Sequence, residues 1–215
     1  MRIIQTAVVC GLVMATGACG TGRVTYASAR APTQITELRT LFIGVADLPP
    51  GLSIRPRAAW RPPFRARAAS CRTVFAAVAG RPPRAGLSGV TAATYEGVHV
   101  GELAAIGVAV YEGGDAVVHL EELREAMARC ETADGGGLGA DRLTSSALPV
   151  SAGDEWAARR LTGRVGGYPY EMHVVVARAG QVLVAVAHAG LAPPDQAGTE
   201  ELARLFARRV GTLDA

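Results

Sequence analysis

Two amino acids are missing outright. The 215-residue chain has no lysine and no asparagine, so all 22 of its basic residues are arginine. That removes Schiff-base lysine chemistry, a phosphate-loop lysine and N-linked glycosylation acceptors. Aromatic residues are scarce at 5%, which counts against a platform for stacking single-stranded nucleic acid. The four cysteines contain no CxxC, and His99, His119, His173 and His188 show no HExxH or other ligand spacing on one element, so no metal motif stands out. Ser88 sits in Gly86-Leu87-Ser88-Gly89 and lacks the glycine two positions on that a nucleophile elbow requires. Neither sign of charge dominates, the formal net being +3.

What is present is a core. Apolar residues make up 49% and charged residues 19%, enough to bury one ordinary domain and too apolar for wholesale disorder. The first 18 residues carry one positive charge, Arg2, followed by an apolar stretch from Ile3 to Ala15. This is the pattern of a secretory signal peptide. At 1.5 Å per residue the stretch falls short of the roughly 30 Å hydrocarbon core, so a permanent anchor is the weaker reading. Thr16-Gly17-Ala18-Cys19 resembles a lipobox, with Thr16 where Leu or Val is usual, and Cys19 is the expected lipidation site. The alternative is cleavage at the small-x-small site Ala27-Ser28-Ala29, releasing a soluble product. The expected organisation is a signal peptide over 1–18, a lipidated Cys and flexible tether over 19–35, and a single domain over 36–215.

Export removes Cys10 with the signal and leaves Cys71 and Cys130. An even pair in an oxidising compartment points to a disulfide; two buried free thiols are the alternative, and a metal pair is weaker still.

Along the domain, Leu38, Leu41, Phe42 and Val45 recur at helical spacing behind Thr36, and Asp47-Leu48-Pro49-Pro50-Gly51 stops them. A helix is expected over 70–79 and another over 115–130, capped by Asp115 with Val117, Leu120, Leu123, Met127 and Cys130 inward. Strands are expected over 89–96, 102–112, 141–149, 155–165, 169–178 and 181–188, and a last helix over 197–210. The glycines of Gly135-Gly136-Gly137-Leu138-Gly139 follow a helix, not a strand, which argues against a dinucleotide fingerprint. Consecutive strands with helices at intervals predict an α+β fold: an antiparallel β-sheet with helices packed mainly on one face, and one disulfide.

Charge is local. Six arginines fall between Arg55 and Arg72 with no acidic residue, and Trp60 and Phe64 lie among them. Arg55, Arg57, Trp60, Arg61, Phe64 and Arg65 are the candidate contacts for an anionic lipid or ligand; a solvated surface loop is the plainer reading. No catalytic residue, cofactor or metal is assigned, and nucleic acid is a poor partner for an exported chain.

The order of parts resembles the extracellular sensor-like domain of some mycobacterial Ser/Thr protein kinases and of free-standing actinobacterial lipoproteins. The residues that carry this are Leu41 to the Asp47-Leu48-Pro49-Pro50-Gly51 turn, Cys71 opening a helix, and Val108-Ala109-Val110-Tyr111. The helix from Ala116 to Cys130 and the hairpin from Met172 to Ala187 before a terminal helix complete it. The resemblance implies helices on an antiparallel sheet, a cleft for an unidentified extracellular ligand, and no enzymatic activity. The expected function is therefore a membrane-anchored extracytoplasmic lipoprotein with a non-catalytic ligand-binding domain. Its partners would be the membrane, through the lipid, and a small-molecule or envelope ligand. Two alternatives stay open: a secreted hydrolase assembled from His119, His173, Glu171 and Asp154, or an envelope subunit using the arginine-rich segment on lipid or a partner.

Overall fold

A computed structural model describes residues 38, 40–136 and 141–211 of the protein. The strands follow from alternation. In β1 (Leu87–Glu96) and β2 (Leu103–Tyr111), joined by a hairpin, and in β6 (Tyr168–Ala179) and β7 (Val182–Gly190), successive side chains point to opposite faces. Both faces of the central strands are covered, so β7 is buried along its whole length and reads as a continuous apolar run. With β3 (Thr132–Asp134), β4 (Arg142–Ala147) and β5 (Glu155–Val165) they form one antiparallel sheet, in the order β1-β2-β7-β6-β5-β4-β3. The β6–β7 hairpin turns through Gly180 and Gln181, with Gly180 at φ 58°, the left-handed conformation that a two-residue hairpin loop requires.

Helices α1 (Ala69–Val78) and α2 (Asp115–Arg129) lie on one face, against Ala105, Ala109, Val174, Val176 and Ala185. The strand residues beneath them are small, and this lets the helices come close. A Cβ at Gly107 would stand 2.3 Å from the Ala77 carbonyl oxygen and 2.9 Å from that of Val78, so α1 seats its last turn on bare backbone. Helix α3 (Gln196–Gly211) covers the opposite face, packing Leu202, Phe206 and Val210 on Ile106, Val175 and Val186. Asp195 caps it, its carboxylate accepting the Gly198 N–H at 2.7 Å. The antiparallel α+β expectation is met; among the described residues α1 and α2 lie on one face and α3 on the other.

Boundaries match the sequence reading closely, with four differences. The short edge strand β3 carries too few residues to show alternation. The helix expected to run through Val45 gives way to turns over 41–44, where Gly44 takes φ 64°; its apolar residues Leu38, Leu41, Phe42 and Val45 are nonetheless buried under α3. Asp115 does not cap α2: Gly114, in the left-handed conformation, is the cap residue, and Asp115 lies in the first turn. Val117 is 49% exposed, because the inward stripe starts from Ala116 and takes His119 into the core.

The Pro/Arg segment is a strap. Leu52 and Arg57 pair with Gly97 and Thr94 on the outer edge of β1, and ten residues later the Arg67 N–H donates to the Asp134 carbonyl of β3 at 2.8 Å. Those strands are the two edges of the sheet. The strap therefore carries the chain in ten residues from one edge of the sheet to the other, hydrogen-bonded at both ends. Its two prolines at 62 and 63 suit an extended chain with no free N–H to satisfy. The expected signal peptide, Cys19 and the expected tether lie outside the described residues.

Candidate functional site

The expected disulfide is formed: Cys71 at the start of α1 is bonded to Cys130 at the end of α2, with Cα atoms 4.9 Å apart. It fixes the end of α1 that faces the strap.

Between strap and helix lies a cleft of about 430 Å³. Pro62, Phe64, Arg65 and Ala66 of the strap form one wall, Arg72, Phe75 and Ala76 of α1 the other, and Arg81 closes one end. Phe64 meets Phe75 edge-on at 6.1 Å. Arg72 is pinned through Nη1, which donates to the Ala66 carbonyl at 3.2 Å and to that of Arg67. No acidic residue lines the cleft among the described residues.

Of the residues singled out in the arginine-rich segment, only Phe64 and Arg65 line this cleft. Arg57 is paired with Glu96 at 3.0 Å on the β1 edge of the sheet, and Arg55 and Arg61 are exposed elsewhere on the strap. Trp60 corrects the expectation of a surface aromatic. It is 6% exposed and packs edge-on against Phe75 at 5.9 Å, because the strap turns its aromatics inward to cover the α1 face. Arg72 and Arg81 were not among the candidates, because nothing local in the sequence links the start and the end of α1 to the strap.

The second polar constellation is internal. His173 on β6 and His188 on β7 are direct register partners, buried at 0% and 4% exposure on the α3 face. Thr199 of α3, also fully buried, stands over both: its Oγ1 is 2.9 Å from His173 Nδ1 and 3.0 Å from His188 Nδ1. The Thr199 hydroxyl donates to the Asp195 carbonyl at 2.9 Å. Its single proton is thereby used, so both imidazoles must donate to it from Nδ1. Each Nε2 then faces a carboxylate, Glu171 Oε1 at 2.9 Å and Glu102 Oε1 at 3.4 Å. The Arg160 guanidinium Nε lies 3.4 Å from His173 Nε2 and 3.2 Å from Glu171, and supplies a proton between them.

Burial holds His173 below the ordinary histidine range, opposed by Glu171 and assisted by Arg160 and His188. Burial also lowers His188, against the pull of Glu102 and Asp195. Both rings are therefore held toward the neutral form relative to a solvated histidine. A hydroxyl flanked by two histidines, each backed by a glutamate, has the parts of a nucleophile relay, yet Thr199 has no exposed surface and its proton is committed. The arrangement fastens α3 to the sheet.

The four groups of the hydrolase alternative are not assembled. Glu171 and His173 touch, but His119 lies on the other face of the sheet, and Asp154 sits by the β6–β7 turn, paired with Arg178 at 3.6 Å. His119 donates from Nδ1 to Glu122 and from Nε2 to the Ala85 carbonyl, both at 2.8 Å. Two acceptors at short range on the two ring nitrogens favour the protonated ring. Burial pushes this ring down, but Glu122 and the Ala85 carbonyl outweigh it and the net shift is upward. Among the described residues no group of three or more His, Cys, Asp or Glu side chains is placed to hold a metal ion.

No protein-family model and no curated protein sequence matches the chain. Among solved structures, the fold is similar to the crystal structure of the extracellular domain of PknH from Mycobacterium tuberculosis. The TM-score is 0.57 at 14% identity, over 83% of this chain and 95% of that one.

Proposed function

We propose that the protein is an exported, non-catalytic ligand-binding domain held at the outer face of the cell membrane by a lipid on Cys19. The observation that carries this reading is the fold, which is shared with an extracellular domain over most of both chains. The Cys71–Cys130 bond supports the compartment, since structural disulfides persist where the environment is oxidising. The sealing of Thr199, His173 and His188 away from solvent supports a role without catalysis.

The anchor rests on the sequence from Arg2 to Cys19. Acyl chains on that cysteine would contribute about 0.8 kcal/mol per buried methylene, and residues 20–35 would give the domain reach above the membrane. Metabolic labelling with a radioactive fatty acid tests it. The wild-type chain takes up label and partitions with membranes, and Cys19→Ala loses both. A mature chain beginning after Ala29, or label retained in Cys19→Ala, overturns the anchor.

A further inference from the structure

We propose that the cleft between the strap and α1 binds an amphipathic oxyanion, a phosphate monoester or diester joined to an aryl or acyl body. This rests on the reading of the protein as a ligand-binding domain and names the ligand class. Three guanidinium groups, Arg65, Arg72 and Arg81, line one cleft with no carboxylate among them. Six other arginines, Arg57, Arg124, Arg129, Arg160, Arg178 and Arg204, are ion-paired, whereas these three converge on one cleft without a carboxylate. The side chains of Arg65 and Arg81 form no hydrogen bond or ion pair within the described protein. Arg72 is oriented by the carbonyls that its Nη1 engages, leaving its other N–H groups uncommitted.

Such a set matches the forked geometry by which arginine recognises phosphate oxygens. The remaining lining decides the rest of the ligand. Phe64, Phe75, Ala76 and Pro62 offer an apolar floor that a bare inorganic anion would leave wet, and about 430 Å³ lies in the range of roughly 300–1,000 Å³ typical of small-molecule sites. The disulfide at the start of α1 and the hydrogen bonds at both ends of the strap hold the two walls before any ligand arrives, so less ordering entropy opposes binding.

The test is calorimetric titration of the full chain in non-ionic detergent with 1-naphthyl phosphate, dihexanoyl phosphatidate, 1-naphthol and inorganic phosphate. Both amphipathic phosphates should bind, with naphthol and inorganic phosphate at least about tenfold weaker, one arginine–phosphate contact being worth roughly that factor. Arg65→Ala and Arg81→Ala should each weaken binding about tenfold, and Arg61→Ala, on the strap but outside the cleft, should leave it unchanged. Tighter binding of the phosphatidate assigns the source to membrane lipid, and tighter binding of the naphthyl ester to a free molecule. Inorganic phosphate binding as tightly as the esters, variants binding like the wild type, or no binding by any probe overturns the proposal. None of those results touches the Cys19 anchor, which the labelling experiment decides separately.

Discussion

Replacing Thr199 by valine keeps the shape of the side chain and removes the oxygen on which His173 and His188 converge. The two Nδ1–H groups, 2.9 and 3.0 Å from that oxygen, lose their acceptor at a buried position. A buried donor left unpaired costs about 1–3 kcal/mol. Part of this is recovered if each ring moves its proton to Nε2, toward Glu171 and Glu102, leaving bare Nδ1 atoms against a methyl group. We expect Thr199→Val to lower stability by about 2–4 kcal/mol, a large share of the roughly 5–15 kcal/mol that holds a domain folded.

The same network sets the acid limb of stability. His173 and His188 have folded pKa values below the ordinary one, so the unfolded chain takes up protons that the folded one refuses. Their contribution is complete above about pH 6.5 and drains as pH falls toward the folded values. The limiting slope is about 1.4 kcal/mol per pH unit for one histidine and about 2.7 for the pair. Urea unfolding with the disulfide intact, from pH 8 down to pH 4.5, measures both effects. His188→Gln should halve the slope. A loss under about 0.5 kcal/mol in Thr199→Val, or an acid limb untouched by His188→Gln, would refute the reasoning.

Three other expectations follow from the geometry. His119 shows the opposite sign: its raised pKa makes its contribution complete below the ordinary histidine pKa and lost as pH rises past the folded value, so His119→Gln should flatten the alkaline limb. Its partner Glu122 is half-exposed, which screens the effect, and an NMR titration placing the ring below 6.5 contradicts it. Gly107→Ala should destabilise by about 1–3 kcal/mol or more through overpacking, because the new methyl meets the carbonyls of Ala77 and Val78; a melting temperature within error of wild type removes that account. Opening the Cys71–Cys130 loop by Cys71→Ser with Cys130→Ser should cost about 4 kcal/mol on the chain-entropy relation, read from the denaturation midpoint, while alkylation of the wild type should leave both cysteines unmodified until a reductant is added.

The elements themselves were legible because their signals are local. Period-two alternation from Tyr170 to Val176 and the glycine at 180 put His173 and His188 on the two arms of one hairpin; their direct pairing follows from the turn at Gly180-Gln181, one residue beyond the Ala179-Gly180 that the sequence suggested. Leu202, Leu205, Phe206 and Val210 marked the inward face of α3, and Thr199, three residues before Leu202 on that stripe, was a readable hint of a buried hydroxyl. Cys71 and Cys130 were paired by counting once export was granted.

What stayed hidden depends on how distant elements meet. Glu102 reaches His188 only because β2 pairs with β7 across 86 positions of sequence, and Thr199 joins them only when α3 settles on that face. The strap looked like a solvated arginine-rich loop; its anchorage on both sheet edges turned Trp60 into core and brought Arg65 up to Arg72 and Arg81. Periodicity fixes which way a side chain points within its own strand or helix. Which other side chain it finds there is set by strand order and helix seating, and those are decided by the burial of all the faces together.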